Sequence, residues 1–217
     1  MGIVVAIDGP AGAGKSTVSR MVAERLGFFL VDTGAIYRTA ALVSARQDLH
    51  QEEALAAALV GLDLRFTEGS VFLGEEDVSL AIRTPQISQH ASVVSVMPKV
   101  RAALLELQRK AARQHPKGAV VEGRDIGTVV FPDAEAKIFL TASVDERARR
   151  RKEELLQRGI DEPIEKVRAE IVERDDRDTN RPVAPLKPAP DAKIVDTTGR
   201  PVAAVVTEIV AHAMRGV

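Results

Sequence analysis

Gly9-Pro10-Ala11-Gly12-Ala13-Gly14-Lys15-Ser16 lies between an apolar run, Ile3 to Ile7, and a stretch with helical patterning. It satisfies the spacing G-x-x-x-x-G-K-[ST] at every position. Glycines in that arrangement let consecutive backbone N–H groups turn inward around phosphate oxygens, and the helix that follows points its positive end at them. Lys15 is placed to reach the outer phosphates, and the Ser16 hydroxyl to ligand the Mg²⁺ that accompanies a nucleoside triphosphate. The stretch therefore implies a triphosphate ligand, but it does not say what receives the phosphate.

Working outward, Ile3 to Asp8 reads as a buried strand, Lys15 to Leu26 as a helix closed by Gly27, and Phe28 to Val31 as a second strand ending at Asp32. Ala35 to Arg46 and Glu52 to Leu59 are rich in Ala and Leu and read as helices. The period then changes. Leu62, Leu64 and Phe66 alternate with polar residues, Glu68-Gly69 offers a turn, and Val71 to Leu73 and Val78 follow, with a second turn over Gly74 to Asp77. A small antiparallel insert at about 60–80 is expected. Helices over Pro85 to Val94 and Lys99 to Gln114 come next, the second with Val100, Leu104, Leu107 and Ala111 on one stripe.

Short strands at Ala119 to Val121, Lys137 to Thr141 and Ile194 to Val195 complete a set of about five, which predicts an α/β fold with a parallel sheet wrapped by helices. Ligands on such sheets bind beyond the carboxyl ends of the strands. The Gly-rich loop, Asp32-Thr33, Glu122 to Asp125 and Thr197-Thr198 all fall there. Ser143 to Arg158 and Glu165 to Arg177 read as two charged helices around Gly159 to Pro163, a candidate lid spanning 143–182. No linker divides the 217 residues, so one domain over 1–217 is expected.

Thirty basic residues balance thirty-one acidic ones for a formal charge of -1, which argues against a nucleic-acid coat or a polybasic membrane anchor. With no cysteine, disulfides and thiolate metal sites are excluded. No apolar run approaches the ~20 residues that span a bilayer and no signal-type segment opens the chain, so the expected location is cytoplasmic. A monomer is the expected state. The four histidines have neither metal-ligand spacing nor a neighbouring nucleophile.

The charges divide by context. Arg149 with Glu153, and Arg150 with Glu154, stand at i,i+4 and are expected to pair on the surface. Arg147 and Arg151 share a helix face and are read as less explained by local pairing, hence as candidates for phosphate. Arg174, Asp178 and Arg181 fall at i, i+4 and i+7 and would line one stripe if the helix persists. Forked cations alternating with carboxylates there suit a phosphate and a sugar hydroxyl held together. Arg124-Asp125, flanked by Gly123 and Gly127 just past a central strand, is expected to face a ligand. Arg38 stands near the start of the helix that follows Asp32.

Four motifs together resemble the bacterial cytidylate kinases, nucleoside monophosphate kinases of the P-loop class: Ile7 to Lys15, Asp32-Thr33-Gly34-Ala35-Ile36-Tyr37-Arg38, Glu122 to Pro132, and Glu173 to Asp178 with Asn180-Arg181. The resemblance covers nearly the whole chain. It implies a three-layer fold with the β insert in a monophosphate-binding region, 35–115, and a short helical lid. It also implies transfer of the γ-phosphoryl group of ATP, with Mg²⁺, to CMP or dCMP.

Carried over by position, Gly9, Pro10, Ala11, Gly12, Ala13, Gly14, Lys15, Ser16 and Thr17 belong to the ATP site, Ser16 also to the metal. Arg38, Arg124 and Arg181 would hold the acceptor phosphate. Ser92, Arg101 and Asp125 would read the cytosine edge, and Arg174 and Asp178 would face the sugar. Thr33 stands where the family often has serine. Lys15, Arg124, Arg147, Arg151 and Arg181 are the expected catalytic group. Two other readings remain at this stage: a P-loop kinase for another small acceptor, or a nucleotide-dependent switch.

Overall fold

The structure, a computed structural model, describes residues 2–67 and 69–215. The turn expected at Glu68-Gly69 therefore has its first residue outside the described residues. The chain divides into two compact units, one built from the residues up to Leu30 and from His115 onward, the other Val31–Gln114.

In the first unit, β1 (Ile3–Asp8) leads into α1 (Lys15–Leu26). β1 is apolar on both faces because it lies inside a parallel sheet, covered above and below. Gly27 ends α1 in the left-handed conformation at φ 65°, its N–H bonding back to the carbonyls of Ala23 and Glu24. The chain then leaves through β2 (Phe29–Asp32) into the second unit.

That unit opens with α2 (Thr33–Gln47), capped where the Asp32 carboxylate accepts from the Ala35 N–H at 3.1 Å. α3 (Glu52–Leu59) follows, then the insert as a three-stranded antiparallel sheet of β3 (Leu64–Thr67), β4 (Ser70–Leu73) and β5 (Glu76–Asp77). A 3₁₀ turn at Ala81–Arg83 leads to α4 (Pro85–Val94) and α5 (Pro98–Arg113). Proline sits at the start of both helices, where its missing N–H costs nothing. The expected stripe of α5 faces inward: Val100 and Leu104 join Ile36, Leu55 and Leu59 in one buried cluster.

Back in the first unit come β6 (Gly118–Gly123), a π-helical turn over Ile126–Val130, and β7 (Ala136–Thr141). The paired helices α6 (Val144–Gln157) and α7 (Ile164–Asn180) follow, then β8 (Lys193–Asp196) and α8 (Val202–Ala213). The five strands form a parallel sheet in the order β2-β6-β1-β7-β8. Its core joins Val5, Ile7, Val120, Ile138 and Leu140 to Val18 and Val22 of α1 and Val206 and Ile209 of α8. The helices α6 and α7 share a smaller cluster of their own, Ala148 and Leu155 against Val167 and Ile171.

Three expectations need correction. β6 runs from Gly118 to Gly123 rather than over three residues, because both glycines continue the ladder against Ile3 and Asp8. α7 stops at Asn180, and Arg181 adopts extended backbone at ψ 140°, so the expected helical stripe does not reach it. α8 and the π-helical turn were not among the expected elements.

Leu104 is fully buried whereas Leu80 is 84% exposed. Leu104→Ala is expected to cost about 2–5 kcal/mol of unfolding free energy. Leu80→Ala should stay within about 0.5 kcal/mol. Urea unfolding of both variants checks this, and equal losses would contradict the packing described.

Candidate active site

β1 ends at Asp8, and its parallel register sets that residue opposite Gly123 of β6 and Phe139 of β7. The carboxyl ends of three adjacent strands thus stand level. From this edge the Gly9 to Ser16 loop leaves with Gly12 at φ 75° and Gly14 at φ 88°, conformations that side chains rarely adopt. A Cβ at Gly12 would meet Arg147 Cβ at 3.0 Å, so the loop also needs glycine for its close approach to α6. Such a loop, with backbone N–H groups at the start of α1, fits a polyphosphate and its Mg²⁺. Ser16 and Thr17 present exposed side chains at that helix start.

Lys15 is buried and donates to the carbonyls of Gly9 and Pro10, both at 2.7 Å. Burial first, then the guanidinium groups of Arg124 and Arg174, holds its ammonium well below the usual lysine value, with Glu122 and Asp178 opposing. Phosphate oxygens would relieve that strain by supplying negative charge.

The same charges gather around Asp178. Burial pushes its carboxyl up, but Arg124, Arg174 and Arg181 outweigh burial and hold it below the ordinary carboxylate range. Arg124 Nε donates to Asp178 at 3.0 Å, and Arg181 Nη2 to Asp125 at 3.2 Å, with both carboxylates buried. Thus the structure brings Lys15, Arg124, Asp125, Arg174, Asp178 and Arg181 to one place, although α7 and the loop after β6 are far apart in sequence. Three guanidinium groups thus stand together, with forked donors that suit an anion.

Arg147 is buried too. It donates to the carbonyls of Ala142 (3.0 Å) and Ala11 (3.2 Å) and forms an ion pair with Asp175 at 2.6 Å, joining the loop, α6 and α7. Arg151 differs from expectation: Glu154, three residues on, pairs with it at 3.0 Å on a partly exposed face. Arg150 likewise does not take Glu154. It bonds Glu146 at 2.9 Å and the Thr197 hydroxyl at 3.0 Å. Arg149 does pair with Glu153. Thr197 Oγ1 also stands 3.1 Å from the carbonyl of Ala13, which fastens the end of β8 to the loop.

In the second unit, Thr33 and Arg38 lie on α2, Ser92 on α4 and Arg101 on α5. Arg38 pairs with Asp32 at 2.7 Å. Arg101 donates to the Ser95 carbonyl at 3.0 Å and sets its guanidinium 5.4 Å from the centre of the Tyr37 ring, a cation–π contact beside Arg38 in sequence. Thr33, Ser92 and Arg101 are all buried.

Asp8 is the residue that sequence reasoning passed over, although a carboxylate ending an apolar strand was a visible signal. Burial pushes its carboxyl up to about 6 from 3.8, and Asp125 adds to the rise, while bonds from the Gly127 and Ile126 amides and the charge of Lys15 pull the other way. A carboxyl raised on folding contributes stability that is full below pH 3.8 and is lost as pH rises through about 6. The difference is about 3 kcal/mol. Denaturant unfolding at pH 4 and pH 7.5 should therefore show a steeper fall for the native chain than for Asp8→Asn. Parallel pH profiles would contradict the assignment.

The family model described as cytidylate kinase matches residues 5–215. A cytidylate kinase of Shewanella sp. (strain MR-4) is 51% identical over 205 residues, covering 91% of this chain and 88% of the relative. One from Mannheimia succiniciproducens is 48% identical over 216 residues, covering 97% and 95%. Among solved structures, an uncharacterised protein from Eubacterium ventriosum is similar in fold, with a TM-score of 0.53 at 14% identity and 98% of each chain covered.

Proposed function

Since the chain belongs to the cytidylate kinase family, we propose that it transfers the γ-phosphoryl group of ATP to CMP or dCMP, giving ADP and the diphosphate. Besides family membership, the observation that carries this reading is the convergence of Arg124, Arg174 and Arg181 with Lys15 at the sheet edge from which the phosphate loop leaves. Phosphoryl transfer asks little covalent chemistry of a protein. It asks that two anions be held in line, that charge spreading over the equatorial oxygens be met by fixed cations, and that water be kept out.

In this reading Gly9 to Thr17 bind ATP, with Lys15 donating to its outer phosphates. The Mg²⁺ that accompanies ATP supplies further neutralisation of the phosphate oxygens, and Ser16 is the side chain offered to it. Arg38, Arg124 and Arg181 hold the acceptor's phosphate. An incoming phosphate competes with Asp178 for Arg124 and with Asp125 for Arg181, exchanging one charge-assisted bond for another. Arg174 and Asp178 face the sugar, and Thr33 offers the acceptor pocket a hydroxyl.

Ser92, Arg101 and Asp125 read the base. A carboxylate accepts from the exocyclic amine of cytosine, which uracil lacks, and an unpaired buried polar group costs about 1–3 kcal/mol. The helices of the 143–182 segment act as the lid that excludes water, with Arg147 and Arg151 carried on α6. The two helices share a core of their own.

Coupled assays with ATP and a panel of monophosphates test the proposal. CMP and dCMP are expected to be turned over faster than AMP, GMP or UMP, and faster turnover of AMP or GMP would refute it. Asp125→Ala is expected to lower the CMP to UMP ratio of kcat/KM by about tenfold or more. The ratio is insensitive to how much of the variant is folded, so an unchanged ratio would show that Asp125 does not read the base.

A further inference from the structure

Asp8 sits at the junction of two loops that the proposed function treats separately. Its successor, Gly9, opens the phosphate loop, while its own side chain turns the other way. Oδ1 accepts from the Ile126 N–H and Oδ2 from the Gly127 N–H, each at 2.8 Å. Those amides are the first two of the π-helical turn and follow directly on Arg124-Asp125. The opening N–H groups of any helical turn lack partners within it, and a carboxylate placed there is favoured by the turn's dipole as well as by the bonds.

The far end of the turn closes on the same point, since the Asp125 carbonyl accepts from the N–H groups of Val129 (2.9 Å) and Val130 (3.2 Å). Asp8 Oδ2 lies in contact range of Gly127, since a Cβ there would stand 3.5 Å from it. Asp8 is 5% exposed and beyond reach of solvent compensation. A strand-end residue there would pack more cheaply as an apolar side chain. The carboxylate is matched instead to two neighbouring donors, one per oxygen, which no neutral side chain of that size can do.

We propose that Asp8 is a positioning residue for the acceptor side of the reaction: by holding the Ile126 and Gly127 amides it fixes where Arg124 and Asp125 stand relative to the phosphate loop, and so sets acceptor affinity and base discrimination without touching either nucleotide. This rests on the reading that Arg124 and Asp125 meet the acceptor. Asparagine at this position would keep the backbone pairing with Gly123 and the peptide link to Gly9, so what its introduction changes first is the pair of side-chain bonds to the acceptor loop, and it acts unequally on the two substrates. Asparagine keeps one acceptor but turns an NH₂ toward the second amide, so one of the two ties is lost.

Steady-state kinetics of the full chain and its Asp8→Asn variant test this. The KM for CMP is expected to rise about tenfold while that for ATP stays within about twofold, and the CMP to UMP ratio of kcat/KM should fall about fivefold. If the native chain phosphorylates CMP but the variant raises neither KM, or raises both together, the positioning role is overturned and the functional reading survives. A native chain idle on CMP would instead overturn that reading, and this role with it. Should the variant not fold, amide hydrogen exchange of the native chain decides: the Ile126 and Gly127 amides are expected to be protected, and exchange at open-loop rates would overturn the proposal.

Discussion

The register of β1 between β6 and β7 is the constraint from which the site follows. Parallel pairing of Asp8 with Gly123 and with Phe139 brings the strand ends level, and β8 continues the row with Asp196 opposite Thr141. A slip of one residue would carry Asp8, and the loop that follows it, out of line with Gly123 and Phe139. The phosphate loop, Arg124-Asp125 and Thr197 therefore leave one edge with their backbones already placed.

Placing cations at that edge has a cost which the chain offsets in two ways. Lys15, Arg124, Arg174 and Arg181 repel one another, and burial strengthens the repulsion by removing water. Asp125 and Asp178 offset it within the protein, and the two substrates of the proposed reaction, both polyanions, would offset it further. Paired carboxylates keep the guanidinium groups oriented, which is the preorganisation that phosphoryl transfer depends on. Arg147 extends the same logic to the helices, because its bonds to Ala11 and Asp175 tie the loop to α6 and α7.

How much of this could be read from the sequence depended on whether each feature was local. The phosphate loop was legible because glycine at positive φ and lysine at a fixed offset are requirements of a single short segment. Helix ends at Gly27, Asp32 and Pro85 carried their own signals. Arg150 was misassigned because the i,i+4 rule was taken forward to Glu154, whereas the structure uses Glu146, four residues back, together with Thr197 beyond the end of β8. Arg151 had Glu154 three residues on, a local partner that the reading overlooked. The π-helical turn depends on Asp8, 118 residues away in sequence, and no side-chain period announces an i to i+5 bond. By contrast α8 was available to the eye, since Val205, Val206, Ile209 and Ala213 keep a helical stripe.

The gathering of Arg124, Arg174 and Arg181 is the least local feature of all, joining a loop after β6 to the end of a charged helix. Residue type hinted at it, but only the fold brings those side chains to the sheet edge. A crystal structure of the chain with CMP bound tests the central claim most directly. The account predicts the nucleotide's phosphate within hydrogen-bonding distance of the Arg124 and Arg181 guanidinium groups. A phosphate seated away from both would contradict it.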